Sequence, residues 1–166
     1  MASRTRQPKV MTIDVAEEVS RRVPGYRGYQ EITQRREDDR RLRTSVAEQL
    51  NSEARRLERI ESQQFRDDYS DFLEEVDSGA RKLEYLAESL TTPVPSRNGL
   101  GDHASNALAP IDKQIVDELD RLRRVVHELE KAYEHDERFE MNLAELRGIT
   151  ERIADLIENR NVALGS

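Results

Sequence analysis

Apolar residues recur along most of this chain at steps of three and four, the spacing that places side chains on one face of an α-helix. The first long run contains no Gly or Pro from residue 29 to residue 78. The pattern therefore predicts a helix of about 50 residues, roughly 75 Å long. A new helix beginning at residues 77–79 and a continuous rod through Gly79 remain alternatives. The main apolar positions of this first arm are Leu42, Val46, Leu50 and Leu57.

The same pattern returns in the second half of the chain and shifts phase by three residues near residue 136. Such a shift predicts either a stammer within one helix or a turn between two helices. The apolar positions that precede the shift are Ile115, Leu119, Leu122, Val126 and Leu129.

Glycine and proline divide the chain into segments. Pro24-Gly25 ends a short helix, and Pro93, Pro95, Gly99 and Gly101 interrupt the middle of the chain. Pro110 suits the first position of the helix that follows. We therefore expect a mobile tail at 1–10, a short helix, turn and long helical arm at 11–91, a flexible linker at 92–109, and a second helical arm at 110–161.

These elements predict an all-α protein, an elongated antiparallel helical hairpin or coiled-coil bundle with long helices and a central flexible loop. One antiparallel pair leaves part of each apolar stripe exposed. A third helix from residues 80–91, or a homo-oligomer formed through the apolar positions named above, is expected to cover it.

The charge of the chain supports the antiparallel arrangement. The 166 residues carry a net charge of −7, but residues 21–66 sum to +4 and residues 67–166 to −11. An acidic arm that runs back along an Arg-rich arm offsets this asymmetry. Bases and acids are interleaved within the Arg-rich arm, and this disfavours nucleic acid as a partner.

The sequence lacks the residues that several kinds of catalytic and metal site require. The chain has no Cys, which excludes disulfides and Cys-ligated metals. It contains no nucleophile elbow, no phosphate-binding glycine loop and no Glu-x-x-His pair. We therefore predict no catalytic residues, no metal ligands and no cofactor. The absence of a secretory leader or an apolar membrane span leads us to expect a cytoplasmic protein.

The turn Pro24-Gly25-Tyr26-Arg27-Gly28-Tyr29 holds two tyrosines in a chain with only 5% aromatic residues. It is either a corner that locks the short helix onto the long one or a docking site for a protein partner. The arginines at 36, 40 and 43 recur on one helical face beside it. The candidate partner-binding residues are Tyr26, Arg27, Tyr29, Arg36, Arg40 and Arg43.

The stretch from Val23 through Tyr29 into Arg35-Arg36-Glu37-Asp38-Asp39-Arg40-Arg41-Leu42-Arg43 resembles the start of a group of bacterial helical proteins. In that group a Pro-Gly-Tyr-(Arg/Lys)-Gly-Tyr element opens a long Arg-rich helix. The resemblance implies a bacterial, cytoplasmic, helical protein, and it brings no activity with it.

The leading functional hypothesis is a non-enzymatic helical scaffold or adaptor that self-associates and docks a protein partner. The first alternative is a metal- or ligand-binding helical bundle. A weaker alternative is a polymer-forming helical protein that acts at membranes, although no local segment has the basic polar face and bulky apolar face of a membrane-surface helix.

Overall fold

The computed structural model describes residues 15–62, 70–94, 100–135 and 139–165. All regular structure within these ranges is helical. Residues 15–20 form α1, and a 3-10 turn at Ile32–Gln34 leads into α2 at Arg35–Ser62. The remaining helices are α3 at Ser70–Ser89, α4 at Asp102–His135 and α5 at Phe139–Gly165. The prediction of an all-α helical bundle is confirmed.

The prediction of one helix from residue 29 to residue 78 is wrong, because α2 and α3 are separate helices. Along a continuous helix, residues 57 and 79 would stand about 33 Å apart. Instead, a Cβ built on Gly79 would lie 3.7 Å from Leu57 Cδ1. The chain therefore reverses between α2 and α3, and this reversal buries the apolar stripes of both helices against each other.

Gly79 lies inside α3 and does not separate two helices. A Cβ at this position would stand 2.9 Å from Leu146 Cδ2. The missing side chain thus lets α3 and α5 approach closely, and this contact explains a glycine in a helix interior, where glycine is otherwise unfavourable.

The phase shift near residue 136 corresponds to a change of helix, since α4 ends at His135 and α5 begins at Phe139. Arg152 of α5 lies 3.2 Å from Glu118 of α4. This pairing requires α5 to run back along α4, so the predicted arm at 110–161 is two antiparallel helices.

The predicted linker at 92–109 is wrong in its second half, because α4 begins at Asp102 and includes Pro110. Proline within a helix removes a backbone hydrogen bond. Burial of Ala104, Leu108 and Ala109 offsets this cost. Residues 95–99 of that linker and the predicted tail at 1–10 lie outside the described residues.

The chain divides into two compact units, and three of the helices contribute to both. Unit 1 contains α1, the turn after it, residues 35–45 of α2, residues 102–116 of α4 and residues 156–165 of α5. Unit 2 contains residues 46–62 of α2, α3, residues 117–135 of α4 and residues 139–155 of α5.

Unit 2 is a four-helix bundle in which consecutive helices run in opposite directions. Phe72 contacts Phe139 with ring centroids 4.3 Å apart, which places α3 beside α5. Arg56 Nε lies 2.6 Å from Glu130 Oε1, which places α2 beside α4. The α3/α5 pair and the α2/α4 pair therefore form opposite sides of the bundle.

Candidate functional site

The N-terminal part of α2 fixes the turn that the sequence singled out in unit 1. The carboxylate of Asp38 accepts hydrogen bonds from the backbone N–H groups of Arg27 at 3.1 Å and Tyr29 at 3.0 Å. Arg35 Nε donates to the carbonyl oxygen of Tyr29 at 2.8 Å. Tyr29 has a φ of 63°, an unfavourable conformation for a residue with a side chain. These three bonds hold its backbone in that conformation.

The turn contributes to a buried polar cluster, defined as Tyr26, Tyr29, Asp39, Asp112 and Arg160. The hydroxyls of Tyr26 and Tyr29 both donate to Asp112 Oδ2, at 2.8 and 2.6 Å. Arg160 Nε donates to Asp112 Oδ1 at 2.7 Å. The cluster therefore joins the turn to α4 and α5.

All three guanidinium nitrogens of Arg160 donate a hydrogen bond within this cluster. Its Nη1 donates to Asp39 Oδ1 and its Nη2 to the Tyr29 hydroxyl, each at 2.7 Å. The side chain is only 1% exposed. A buried arginine is stable when a fixed set of acceptors meets its donors, and Asp112, Asp39 and Tyr29 supply that set here.

The electrostatics of the cluster follow from its burial. Burial lowers the pKa of Arg160, but Asp112, Tyr29 and Asp39 together outweigh this effect, and the pKa lies well above its ordinary value. Burial, together with the adjacent Asp112 carboxylate, raises the pKa values of the Tyr26 and Tyr29 hydroxyls. The Asp112 side chain is fully buried. The side chains of Tyr26, Tyr29, Asp112 and Arg160 are at most 3% exposed, so the cluster joins the elements of unit 1 from the inside.

The raised tyrosine pKa values predict a loss of stability in alkali. Below about pH 10 the folded and unfolded chains both keep these two protons, and the full stabilisation is present. Above that pH the unfolded chain releases them while the folded chain retains them, so the free energy of unfolding falls by up to about 2.7 kcal/mol per pH unit. Urea denaturation from pH 8 to pH 11.5 measures this slope.

The control for this experiment is the double variant Tyr26→Phe with Tyr29→Phe. It removes both titrating groups and leaves the other three tyrosines of the chain unchanged. Its slope above pH 10 should therefore be shallower than that of the original chain. Equal slopes in the two proteins would show that these tyrosines ionise normally in the folded state.

The candidate partner-binding residues divide into two groups. Tyr26 and Tyr29 are 3% and 1% exposed, so in this structure their side chains offer no docking surface, and their hydroxyls bind Asp112 of α4 instead. Arg43 is also unsuited to docking because its side chain is mostly buried and its Nε lies 3.1 Å from Asp39 Oδ2. The other three, Arg27, Arg36 and Arg40, lie on the surface.

The apolar residues assigned to self-association are all buried within the single chain, each at most 2% exposed. Exposing one such side chain to reach another copy costs about 2 kcal/mol. These residues therefore pack inside the two units and do not present a surface for self-association. The residues concerned are Leu42, Val46, Leu50, Leu57, Ile115, Leu119, Leu122, Val126 and Leu129.

The sequence analysis missed Asp112 and Arg160, although both occupy apolar positions of the helical pattern. Asp112 lies four residues after Leu108 and three before Ile115. Arg160 lies three residues after Ile157 and four before Leu164. Opposite charges in two otherwise apolar stripes were the available signal for a buried ion pair.

The described residues outside the polar cluster bear on the metal-binding, ligand-binding and membrane alternatives. Within residues 15–62, 70–94, 100–135 and 139–165, no three His, Asp or Glu residues are grouped so that they could hold a metal ion. Unit 2 has a cleft of about 210 Å³ between α3 and α5, bordered by Lys82, Arg147 and Thr150. None of the helices, over their described residues, is both long and apolar enough to span a bilayer.

The fold and the polar cluster define an all-α helical bundle whose first unit is fastened by a buried Asp–Arg–Tyr network. No protein-family model matches the chain, and comparison with curated proteins and with solved structures likewise finds no significant match. The functional proposal therefore depends on the geometry of the chain itself.

Proposed function

We propose that this protein is a non-enzymatic helical adaptor that binds an acidic segment of a protein partner on unit 1. The binding site is the corner surface, defined as Arg27, Ile32, Arg36 and Arg40. The observation that carries the proposal is Ile32, an isoleucine that is 76% exposed and stands among exposed arginines. Arginine is enriched in protein interfaces, and the buried centre of such an interface is apolar.

The corner surface follows one helical side. The 3-10 turn that contains Ile32 runs directly into α2, and Arg36 and Arg40 follow at intervals of four residues. Residues at this spacing lie next to each other along a helix. A partner segment therefore meets one apolar contact followed by two guanidinium groups.

Rigidity of the supporting backbone strengthens this proposal. Asp38 and Arg35 bind the backbone of the turn, and Arg41 Nη1 donates to the carbonyl oxygen of Gly25 at 3.0 Å. Because the turn is already ordered, a partner does not have to supply the entropy cost of ordering it. The polar cluster thus contributes to binding indirectly, by holding the corner surface in place.

Charge favours an acidic occupant. The side chains of Arg27 and Arg40 are 68% and 66% exposed. Arg40 is engaged by Glu37, whose carboxylate accepts from its Nε and Nη2 at 3.1 and 2.6 Å. A carboxylate of the partner adds a second acceptor to these exposed guanidinium groups, and planar guanidinium groups suit two-point contacts of this kind.

A photocrosslinking amino acid placed at Ile32 tests the proposal in a lysate of the native host. We expect a discrete crosslinked band whose yield falls at least about tenfold when Arg36→Glu and Arg40→Glu are combined, because like charges then face the acidic segment. The same amino acid at Val162, an exposed residue of α5 in unit 1, is the matched control.

Two results would contradict the proposal. The first is the same set of bands from the Ile32 and Val162 positions, which indicates unspecific contact. The second is a band at Ile32 that survives the double charge reversal while the helical content by circular dichroism is unchanged.

A further inference from the structure

Unit 2 has two exposed faces of opposite charge. The acidic face is the exposed surface of α3 and of residues 139–155, where nine exposed carboxylates stand against four exposed basic side chains. The basic face is the exposed surface of α4 between residues 121 and 131, where four exposed basic side chains stand against one exposed carboxylate. The basic side chains of that face are Arg121, Arg123, Arg124 and Lys131.

The acidic face also carries an apolar anchor. Tyr85 is 71% exposed on α3 and borders a shallow groove that Glu74, Asp77, Arg81 and Lys82 also line. An exposed tyrosine ring suits an arginine, since its guanidinium stacks on the ring while a carboxylate of the acidic face accepts its hydrogen bonds.

We propose that the acidic face of unit 2 binds the basic face of unit 2 in a second copy of this chain. The complementary occupant is present in the chain itself, because Arg123 and Arg124 project from a surface on the opposite side of the same bundle. This site differs from the corner surface in its residues, its unit and its partner.

The position of the two faces determines the kind of assembly. A contact between two different faces is heterologous, and faces on opposite sides of one bundle do not close a dimer. Head-to-tail contact therefore produces open chains whose length grows with protein concentration. Because exposed ion pairs form the contact, it weakens as salt is added.

Sedimentation velocity of the full chain at about 0.1 mM protein measures this assembly at two salt concentrations. In about 0.02 M salt we expect a weight-average mass at least about twice the 19.3 kDa of one chain. In about 0.5 M salt the mass should return to that of one chain, because charges farther apart than about 4 Å are then screened. A single chain at both salt concentrations, or association that is insensitive to salt, would overturn the proposal.

A charge exchange identifies the faces. Arg123→Glu with Arg124→Glu makes both faces acidic, and Glu84→Arg with Glu88→Arg adds bases on both sides of Tyr85. Each variant alone should sediment as one chain. Their equimolar mixture should associate again, since the unchanged acidic face of the first variant then meets the unchanged basic face of the second. Failure of the mixture to associate would exclude these faces as the contact.

Arg36→Glu with Arg40→Glu is the matched control, because it changes the net charge by the same amount on unit 1. It should leave self-association unchanged while it abolishes capture by the corner surface. The Arg123→Glu, Arg124→Glu variant should show the reverse pattern. Loss of self-association in both variants would show that self-association depends on overall charge, and this would refute the proposed faces. The outcome of the corner experiment does not affect this comparison.

Discussion

Asp112→Ala is expected to lower the free energy of unfolding by about 3–5 kcal/mol, the largest effect we predict for one substitution. The substitution leaves the guanidinium of Arg160 buried without its main counter-charge. It also removes the acceptor of the Tyr26 and Tyr29 hydroxyls. Because single domains are stable by only about 5–15 kcal/mol, this loss brings the chain close to unfolding at room temperature.

Urea denaturation monitored by circular dichroism measures this effect. Asp155→Ala is the matched control, since Asp155 is an exposed residue of α5 and its loss should change the free energy of unfolding by no more than about 0.5 kcal/mol. Similar midpoints for the two variants would show that the cluster does not hold unit 1 together.

A second variant separates the cost of an unpaired charge from the value of the pair. Asp112→Leu combined with Arg160→Met replaces both charges by apolar side chains. Removing both members of a buried ion pair costs less than removing one. The double variant should therefore unfold at a higher urea concentration than Asp112→Ala. If it is equally unstable, the unpaired guanidinium is not the source of the cost.

Gly28→Ala is expected to cost about 2–5 kcal/mol, the second largest effect. Gly28 has a φ of +67°, a conformation that costs an L-residue roughly 1–2 kcal/mol. The new Cβ would also lie 2.8 Å from the Cβ of Ala16 in α1. Relief of this overlap requires α1 to move away from the turn, at a further cost of about 1–3 kcal/mol.

Gly101→Ala provides the control for Gly28→Ala. A Cβ at Gly101 meets no atom within 4 Å, and its φ lies outside the left-handed region. The free energy of unfolding should therefore stay unchanged or rise by less than about 1 kcal/mol. A cost below about 1 kcal/mol for Gly28→Ala would show that α1 does not need its close contact with the turn.

The turn shows how much of the candidate site could be predicted from the sequence. The Pro-Gly-Tyr-Arg-Gly-Tyr segment stands out as a corner because its two glycines have positive φ and its aromatic residues have bulk. The direction of the tyrosine side chains was not available from the sequence. Their hydroxyls point inward because they donate to Asp112. This residue lies 83 positions beyond Tyr29 and comes next to it only in the folded chain.

Arg35 and Asp38 show the same limit on a shorter scale. Along the sequence they belong to one Arg- and Asp-rich run with Arg36, Asp39 and Arg40. In the structure Arg35 and Asp38 are buried against the turn, whereas Arg36 and Arg40 are exposed. Helical spacing separates these two sides of α2, but only the turn that packs on one side determines which of them is buried.

The sequence by itself determined that the protein is all-α, since steps of three and four between apolar residues are compatible with helices alone. It also determined which side chains form the core, since the apolar positions of both arms are buried. Only the tertiary structure decided where the chain reverses and which charges are buried. Both depend on contacts between residues far apart in sequence, such as Leu57 with Gly79 and Asp112 with Arg160, and a local pattern contains no information about such contacts.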